Sequence, residues 1–221
     1  MAIARDTFTN GAFTSGTSHT FSHTCSGTDR FLFVHAFKNS TSDTITSASY
    51  GGVAMTLLHK FSPGVSRYLY VFYLTNPASG ANNVVISSSS STAIGGNAAS
   101  YTGVSQTGQP EVSTTAVGTG SPNTTTLTTT TDNSWTVLFT LGNNADPTAS
   151  TGSTFFGQNS IYGDADVFDS NGAISPAGST SMSLTTNNPA FPLGRIMAAI
   201  APAGGGGGGA VKPNFLGFSR I

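Results

Sequence analysis

The sequence predicts an all-β fold: a two-sheet antiparallel β-sandwich, jelly-roll-like, followed by a flexible C-terminal tail. Three observations lead to this prediction. Charged residues make up only 8% of the 221 residues and Glu111 is the only glutamate, so the usual helix formers are scarce. Threonine and aromatic residues are abundant, and they suit a pleated, half-buried surface. Short apolar or alternating segments recur between turn residues, and no apolar stripe has a helical period.

Two nearly continuous apolar segments predict central strands. Residues 30–38 (RFLFVHAFK) and 67–75 (RYLYVFYLT) are apolar on both faces, which is typical of strands covered on both sides. Gly51 and Gly52 separate two strand-like segments, 44–50 and 53–61, and predict a hairpin. The other predicted strands are residues 17–25, 83–88, 94–101, 111–117, 124–131, 134–141, 154–162, 165–168, 179–186 and 193–201. So many short strands at regular spacing favour a sandwich.

The composition changes abruptly near Pro202. We predict an N-terminal segment (1–14), a sandwich domain (15–203), a poly-Gly linker (204–209) and a C-terminal docking peptide (210–221). Six consecutive glycines cannot form a core element and are typical of a flexible linker. The peptide AVKPNFLGFSRI is too apolar for a solvated terminus, so it docks on another chain or folds back on its own domain. Its predicted docking residues are Val211, Phe215, Leu216, Phe218, Arg220 and Ile221.

Charge and cysteine content restrict the class of partner. The net charge is −1 and the basic residues are scattered, so no nucleic-acid partner is expected. No apolar run is long enough to span a membrane, so no membrane partner is expected either. Residues 1–10 lack the pattern of a signal peptide. The single Cys25 excludes an internal disulfide and is predicted to be a small buried apolar residue. Synthesis in a cytoplasm, combined with the surface of an extracellular β-protein, fits a virion component.

The residues predict no enzyme and no cofactor. A glycoside hydrolase needs two carboxylates at a controlled separation, whereas this chain has one glutamate and eight aspartates, mostly in turn contexts. The nucleophile pattern G-x-S-x-G is absent, and residues 103–108 come closest without matching it. Cys25 has His19 and His23 nearby in sequence, but no carboxylate that would orient an imidazole is evident.

One loop carries weak candidates for calcium binding. Residues 163–172 (GDADVFDSNG) bring several carboxylate and amide oxygens close together in sequence, and calcium prefers oxygen ligands. The spacing is not that of an EF-hand, and Asp and Asn also populate ordinary turns. His19 and His23 lie four residues apart in a strand, roughly 13 Å along it, so one metal cannot take both. The calcium candidates are Asp164, Asp166, Asp169 and Asn171.

An alternative function is a carbohydrate-binding or host-attachment module. Such sandwiches use exposed aromatic rings surrounded by polar side chains. Burial in the core is the competing interpretation, because residues 67–75 are apolar on both faces and Trp135 lies within an apolar strand. The aromatic candidates are Tyr50, Tyr68, Tyr70, Tyr73, Tyr101, Tyr162 and Trp135.

Six segments together resemble a β-sandwich module of phage and prophage structural proteins. They are SGTDRFLFV (26–34), SASYGGVAMT (47–56), YLTNPASGANNVVIS (73–87), AASYTGVSQT (98–107), SWTVLFT (134–140) and GRIMAAIAPA (194–203). The resemblance covers about residues 15–203, and its motifs are turns and strands that specify an architecture better than a task.

This resemblance implies a virion protein that is made in the host cytoplasm and exposed on the particle. The implied role is capsid decoration (cement), a small head fibre or a tail fibre, without catalytic residues. The implied partners are other virion proteins, a major capsid or tail protein, and further copies of the chain. A homo-oligomer is expected, and a trimer would suit three-fold sites on a capsid. In the host-attachment alternative, surface glycans are the partner.

Overall fold

The structure is a computed structural model that describes residues 1–40, 42–64, 66–142, 144–159 and 165–204. Within these ranges it is all-β and antiparallel, as predicted. No helix in the described ranges is long and apolar enough to cross a membrane. The strands are β1 (Ala4–Cys25), β2 (Phe31–Lys38), β3 (Ile45–Tyr50), β4 (Val53–Ala54), β5 (Thr56–Phe61), β6 (Tyr68–Thr75), β7 (Gly80–Thr102), β8 (Val112–Gly118), β9 (Asn123–Thr128), β10 (Trp135–Leu141), β11 (Pro147–Ala149), β12 (Thr154–Gln158), β13 (Asp166–Asp169), β14 (Ser179–Thr186) and β15 (Leu193–Ile200).

The described strands form three sheets that stack in layers. The curled sheet has the order β4-β3-β7-β2-β6-β5, with β1 added on β7. The middle sheet has the order β12-β13-β10-β15-β8, and the outer sheet has the order β11-β14-β9. The predicted two-sheet sandwich corresponds to the curled and middle sheets. The outer sheet adds a further layer.

The curled sheet is organised by the long antiparallel pair of β1 and β7, which runs from Ala4 opposite Thr102 to Cys25 opposite Gly80. On the other edge of β7, β2 pairs with its C-terminal half and β3 with its N-terminal half. The register of β1 and β7 shifts between Gly16 and Ser18, where β7 has more residues than β1. Extra residues on one strand bend a pair, so the halves of the sheet can face each other.

The two ends of the strand order in this sheet are brought together. β4 pairs with β3, whereas β5 pairs with β6 at the opposite end of the order. Only Met55 separates β4 from β5, so the sheet curls round an interior core. That core includes Cys25, Leu32, Val34, Ala36, Ile45, Ala48, Tyr50, Tyr70, Phe72, Val84, Ile86 and Ile94.

Strand β2 contributes buried side chains to both faces of the curled sheet. All eight of its residues are buried, as its apolar sequence predicted. Because side chains alternate across a strand, Leu32 and Val34 point into the curled interior, while Phe31 and Phe33 pack against the middle sheet. The Phe33 ring lies 5.0 Å from the ring of Phe139 on β10. Aromatic packing between β2 and β10 therefore joins the two larger sheets.

The outer sheet has one apolar and one hydroxyl face. Leu127, Met182 and Leu184 pack inward against the middle sheet. On the opposite face, hydroxyl groups of neighbouring strands pair with one another: Thr124 with Ser183 at 2.8 Å, Thr126 with Ser181 at 2.7 Å and Thr148 with Thr185 at 2.6 Å. The strands of this sheet contain no Asp, Glu, Lys or Arg, so the face is uncharged.

The N-terminal boundary differs from the prediction. Residues 1–14 were expected to form a separate segment, but residues 4–14 are the first half of β1 and pair with β7. The register shifts between Arg5 and Phe8 and again between Asn10 and Phe13. Such irregularities interrupt the alternation of inward and outward side chains, which is why the sequence pattern there does not resemble a strand.

An ion pair between the partly buried Arg5 and a fully buried carboxylate joins β1 to the middle sheet. The Arg5 guanidinium donates to both carboxylate oxygens of Asp169, from Nε at 2.8 Å and from a terminal nitrogen at 2.6 Å. The Tyr101 hydroxyl donates to the same carboxylate at 3.0 Å. Arg5 also lies 4.6 Å from the centre of the Phe156 ring. The Asp169 side chain is fully buried, so its charge depends on these partners.

Replacing Arg5 should destabilise the protein far more than replacing an exposed partner of similar chemistry. Arg5→Met leaves the buried Asp169 carboxylate without its cation, and breaking a buried pair costs about 3–5 kcal/mol. The matched control is Lys60→Met, which removes the half-exposed pair with Asp43 and should cost less than about 1 kcal/mol. The free energy of unfolding from chemical denaturation measures both. Equal losses would show that Arg5 does not have this role.

Candidate functional site

The last described residue, Gly204, lies at one end of the sandwich, which we call the exit pole and define as residues 1–3, 103–111, 130–135, 173 and 201–204. Backbone hydrogen bonds hold it together: the Met1 amino group donates to the Ala203 carbonyl at 2.5 Å, and the Ala203 amide donates to Gly103 at 2.7 Å. The Ser105 amide donates to Ala201 at 2.8 Å. Residues 201–204 are therefore fixed immediately before the glycine run.

An apolar depression of about 420 Å³ opens at the exit pole. All the side chains that line it are apolar except that of Asn133; Ile3, Trp135 and Pro202 are largely buried, whereas Met1 is 70% exposed. Gly204, the first residue of the glycine run, also lines this depression. A small apolar surface thus lies beside Gly204.

A polar depression of about 480 Å³ lies next to it and shares Pro202 and Gly204 with it. Its lining includes Glu111 and the hydroxyl-bearing Thr130. The Thr130 hydroxyl donates to Oε2 of Glu111 at 2.7 Å. Oε1 of Glu111 is buried and has no hydrogen-bond partner among the described residues. The carboxylate of Glu111 in this lining suits a cationic or N–H partner.

The predicted docking residues Val211, Phe215, Leu216, Phe218, Arg220 and Ile221 lie outside the described residues, as does the calcium candidate Asp164.

The remaining calcium candidates do not form one site. Asp166 and Asp169 are three residues apart in β13, so their side chains project from opposite faces of the middle sheet. The Asp169 oxygens accept hydrogen bonds from Arg5, Tyr101 and the Asn171 amide. In the described ranges no three His, Cys, Asp or Glu side chains are grouped closely enough to hold a metal ion.

The aromatic candidates for sugar binding do not form an exposed platform in the described part of the chain. Tyr50, Tyr70 and Tyr101 are fully buried, and Trp135 is 8% exposed. Tyr68 and Tyr73 are partly buried, and Tyr162 lies outside the described residues. The large exposed aromatic side chain in these ranges is Phe155, on the edge strand β12.

A buried polar network includes the residue types of a nucleophilic site, but with the wrong proton arrangement. The Ser100 hydroxyl donates to Asp6 at 2.8 Å and lies 3.1 Å from Nε2 of His23. The Thr9 hydroxyl lies 2.8 Å from Nδ1 of the same ring. These contacts are satisfied when Nε2–H donates to Ser100 and Thr9 donates to Nδ1. An activated serine instead gives its proton to the imidazole, so the network suits a structural role.

Burial makes the histidine and cysteine of this region unreactive as a pair. Burial lowers the pKa of His23 to about 4, although the nearby Asp6 charge opposes the shift. Burial also raises the pKa of the Cys25 thiol. A catalytic cysteine needs the opposite, a lowered thiol pKa next to a protonated imidazole. Burial likewise raises the pKa of Asp6, but hydrogen bonds from Ser26 and Ser100 outweigh it and leave that pKa lowered.

The buried histidines should make stability depend on pH in the mildly acidic range. Burial lowers the pKa of His35 to about 3, and its ring nitrogens have no hydrogen-bond partner among the described residues. Below the ordinary pKa of 6.5 the unfolded chain binds protons at His23 and His35 that the folded chain does not. The contribution of these histidines to the free energy of unfolding should therefore be at its maximum above pH 6.5 and should decrease as the pH falls toward 4.

The variant His35→Phe provides the matched test of this pH dependence. Each shifted histidine contributes up to about 1.4 kcal/mol per pH unit inside its window, so the slope between pH 5 and 4.5 should fall by about that amount in the variant. The pKa values of His19, His23 and His59 are also lowered by burial, so part of the slope should remain. Denaturant unfolding at a series of pH values measures it. An unchanged slope would show that His35 is protonated in the folded protein.

Cys25 should resist thiol reagents until the protein unfolds. Its side chain has no exposed surface and its pKa is raised by burial, and the thiolate is the reactive form. Labelling with a thiol-specific chromogenic reagent should be slow for the native protein and complete in denaturant. Rapid labelling of native protein would indicate an accessible, activated thiol.

Sequence reasoning did not identify the exit pole as a site. Glu111 was considered only as a possible catalytic acid, and Trp135 only as a core residue or a sugar platform. The glycine run does indicate where the sandwich domain ends in the sequence, but the grouping of residues 1–3, 103–111 and 130–135 beside it arises from the sheet arrangement.

No protein-family model and no curated protein sequence matches this chain.

Proposed function

We propose that this chain is a non-enzymatic structural protein of a bacteriophage particle, a capsid decoration or small head-fibre protein. It is attached to neighbouring subunits through its terminal segments. The observation that carries the proposal is the exit pole, where a hydrogen-bonded end of a sandwich continues into six glycines and the apolar segment 210–221. Such an arrangement suits a rigid domain that carries a tethered peptide for binding a neighbouring subunit. The resemblance of residues 15–203 to phage structural modules supports the same assignment.

The scaffold has the properties that a particle component needs. Three apolar cores are shared among three sheets, and close-packed cores resist deformation. The Arg5–Asp169 pair and the network of Asp6, Ser100 and His23 satisfy buried polar groups within the chain. These groups are engaged in holding strands together, which supports a building role over a catalytic one.

The surface supports close packing with other subunits. The chain carries 8 basic and 9 acidic residues in 221, so long-range repulsion between copies is small. Several basic residues are engaged internally, since Arg5 pairs with Asp169 and Arg195 donates to Thr125. A neutral surface rich in Ser and Thr lets copies approach without assembling by charge alone.

Attachment would draw its free energy chiefly from the apolar side chains of residues 210–221. Burial of apolar surface contributes about 25 cal/mol per Å². Immobilising the segment and the glycine linker opposes this gain, so each attachment is modest. Several copies arranged as a homo-oligomer, for example a trimer, would add their contacts through effective concentration.

Deleting residues 204–221 should leave a folded domain that assembles poorly. The described sandwich contains its cores without this region, so the thermal unfolding transition should persist. Occupancy on purified particles should fall strongly, as measured by quantitative gel densitometry. The matched full-length controls are the double variant Phe215→Ser/Phe218→Ser, which should also lose occupancy, and Ser219→Ala, which should not.

Unchanged occupancy of the deleted protein would contradict attachment through this segment. A glycan array with specific hits, for a protein that is not incorporated into particles, would favour the carbohydrate-binding alternative instead.

A further inference from the structure

The exit pole has two depressions of different character beside Gly204. The apolar depression is bordered by Ile3, Trp135 and Pro202, and the polar depression contains Glu111. Gly204 lines both of them. Any segment connected to Gly204 by a short linker therefore starts at the edge of both surfaces.

The composition of residues 210–221 complements these two surfaces. The segment contains Phe215 and Phe218, which match an apolar depression of about 420 Å³. It also contains Lys212 and Arg220 and no acidic residue. The lining of the polar depression includes the carboxylate of Glu111, which is the kind of partner that a Lys or Arg side chain binds by a charge-assisted hydrogen bond.

The length of the linker favours binding within one chain. A six-residue glycine-rich linker has a root-mean-square span of about 13 Å. The effective concentration of a tethered group is greatest when the linker span matches the distance to its site, and reaches the millimolar range for short linkers. The exit pole surrounds the tether point, so the segment of the same copy competes well against that of a second copy in dilute solution.

We propose that residues 210–221 bind back to the exit pole of their own chain. An aromatic side chain, Phe215 or Phe218, enters the apolar depression beside Trp135, and a basic side chain, Lys212 or Arg220, meets Glu111. In the free protein the apolar segment is thus covered before any neighbour is present. Exchange of the segment onto a neighbouring subunit would reuse the same contacts; this exchange, unlike the docking itself, rests on the proposed attachment function.

The single tryptophan makes the docking directly measurable. Trp135 is the only tryptophan in the chain, so a ¹⁵N-labelled full-length protein has one indole N–H resonance. The double variant Phe215→Ser/Phe218→Ser should shift this resonance, because an aromatic ring near the indole changes its shielding. Ser219→Ala, which alters the same segment without removing an aromatic ring, should leave it in place.

The dependence of the indole resonance on protein concentration shows whether the docked segment belongs to the same chain or to a second copy. For binding within one chain, the indole resonance and the mass from light scattering should both be independent of protein concentration. A resonance that moves on dilution together with a mass that falls would show that the segment comes from a second copy, and would overturn the proposal. No shift in the double variant would overturn docking at Trp135 altogether.

The role of Glu111 has its own test. Glu111→Gln retains the acceptor for Thr130 but removes the negative charge, and should increase the undocked fraction several-fold in the same indole measurement. Asp146→Asn, which removes an acidic charge outside the exit pole and keeps an acceptor for Asn187, should have little effect. An unchanged docked fraction in Glu111→Gln would overturn the ionic half of the proposal. These measurements use the free protein, so they stand whether or not particle incorporation fails.

Discussion

The long pairing of β1 with β7 is the constraint on which most of this architecture depends. It joins the start of the chain to a strand far away in sequence, with Ala4 opposite Thr102. Because β7 also pairs with β2 and β3 on its other edge, this pair fixes both halves of the curled sheet. It also brings Arg5 to Asp169 and His23 to Ser100. The pairing of β1 with β7 thus determines both the shape of the curled sheet and its attachment to the middle sheet.

Much of the strand pattern follows from local sequence, whereas the layering does not. Residues 30–38 and 134–141 were predicted as strands and correspond closely to β2 and β10, because continuous apolar runs are a strong signal. Residues 83–88 and 94–101 were predicted as two strands but belong to one bent strand, β7, in which Ser88 and its neighbours resemble a turn. The outer sheet is hard to foresee because its short strands alternate hydroxyl and apolar residues, a pattern that fits either a sheet edge or a separate layer.

The functional predictions likewise divide into those that follow from local sequence and those that depend on the folded arrangement. Local spacing could have shown that Asp166 and Asp169 cannot share an ion, since residues three apart in a strand face opposite directions. The buried state of Tyr70 and Tyr101 is likewise consistent with their apolar neighbours. By contrast, the depressions beside Trp135 and Glu111 combine residues from distant parts of the chain, and only the folded arrangement brings them to the point where the glycine run begins.

The hydroxyl face of the outer sheet has a consequence for the environments that the protein can tolerate. Its Thr and Ser side chains satisfy one another across the strands. These strands carry no Asp, Glu, Lys or Arg, so they hold no counterions that dissolved salt could displace. Coulombic screening has little to act on there. Any contact made through this face should therefore vary little in strength between dilute and concentrated salt solutions.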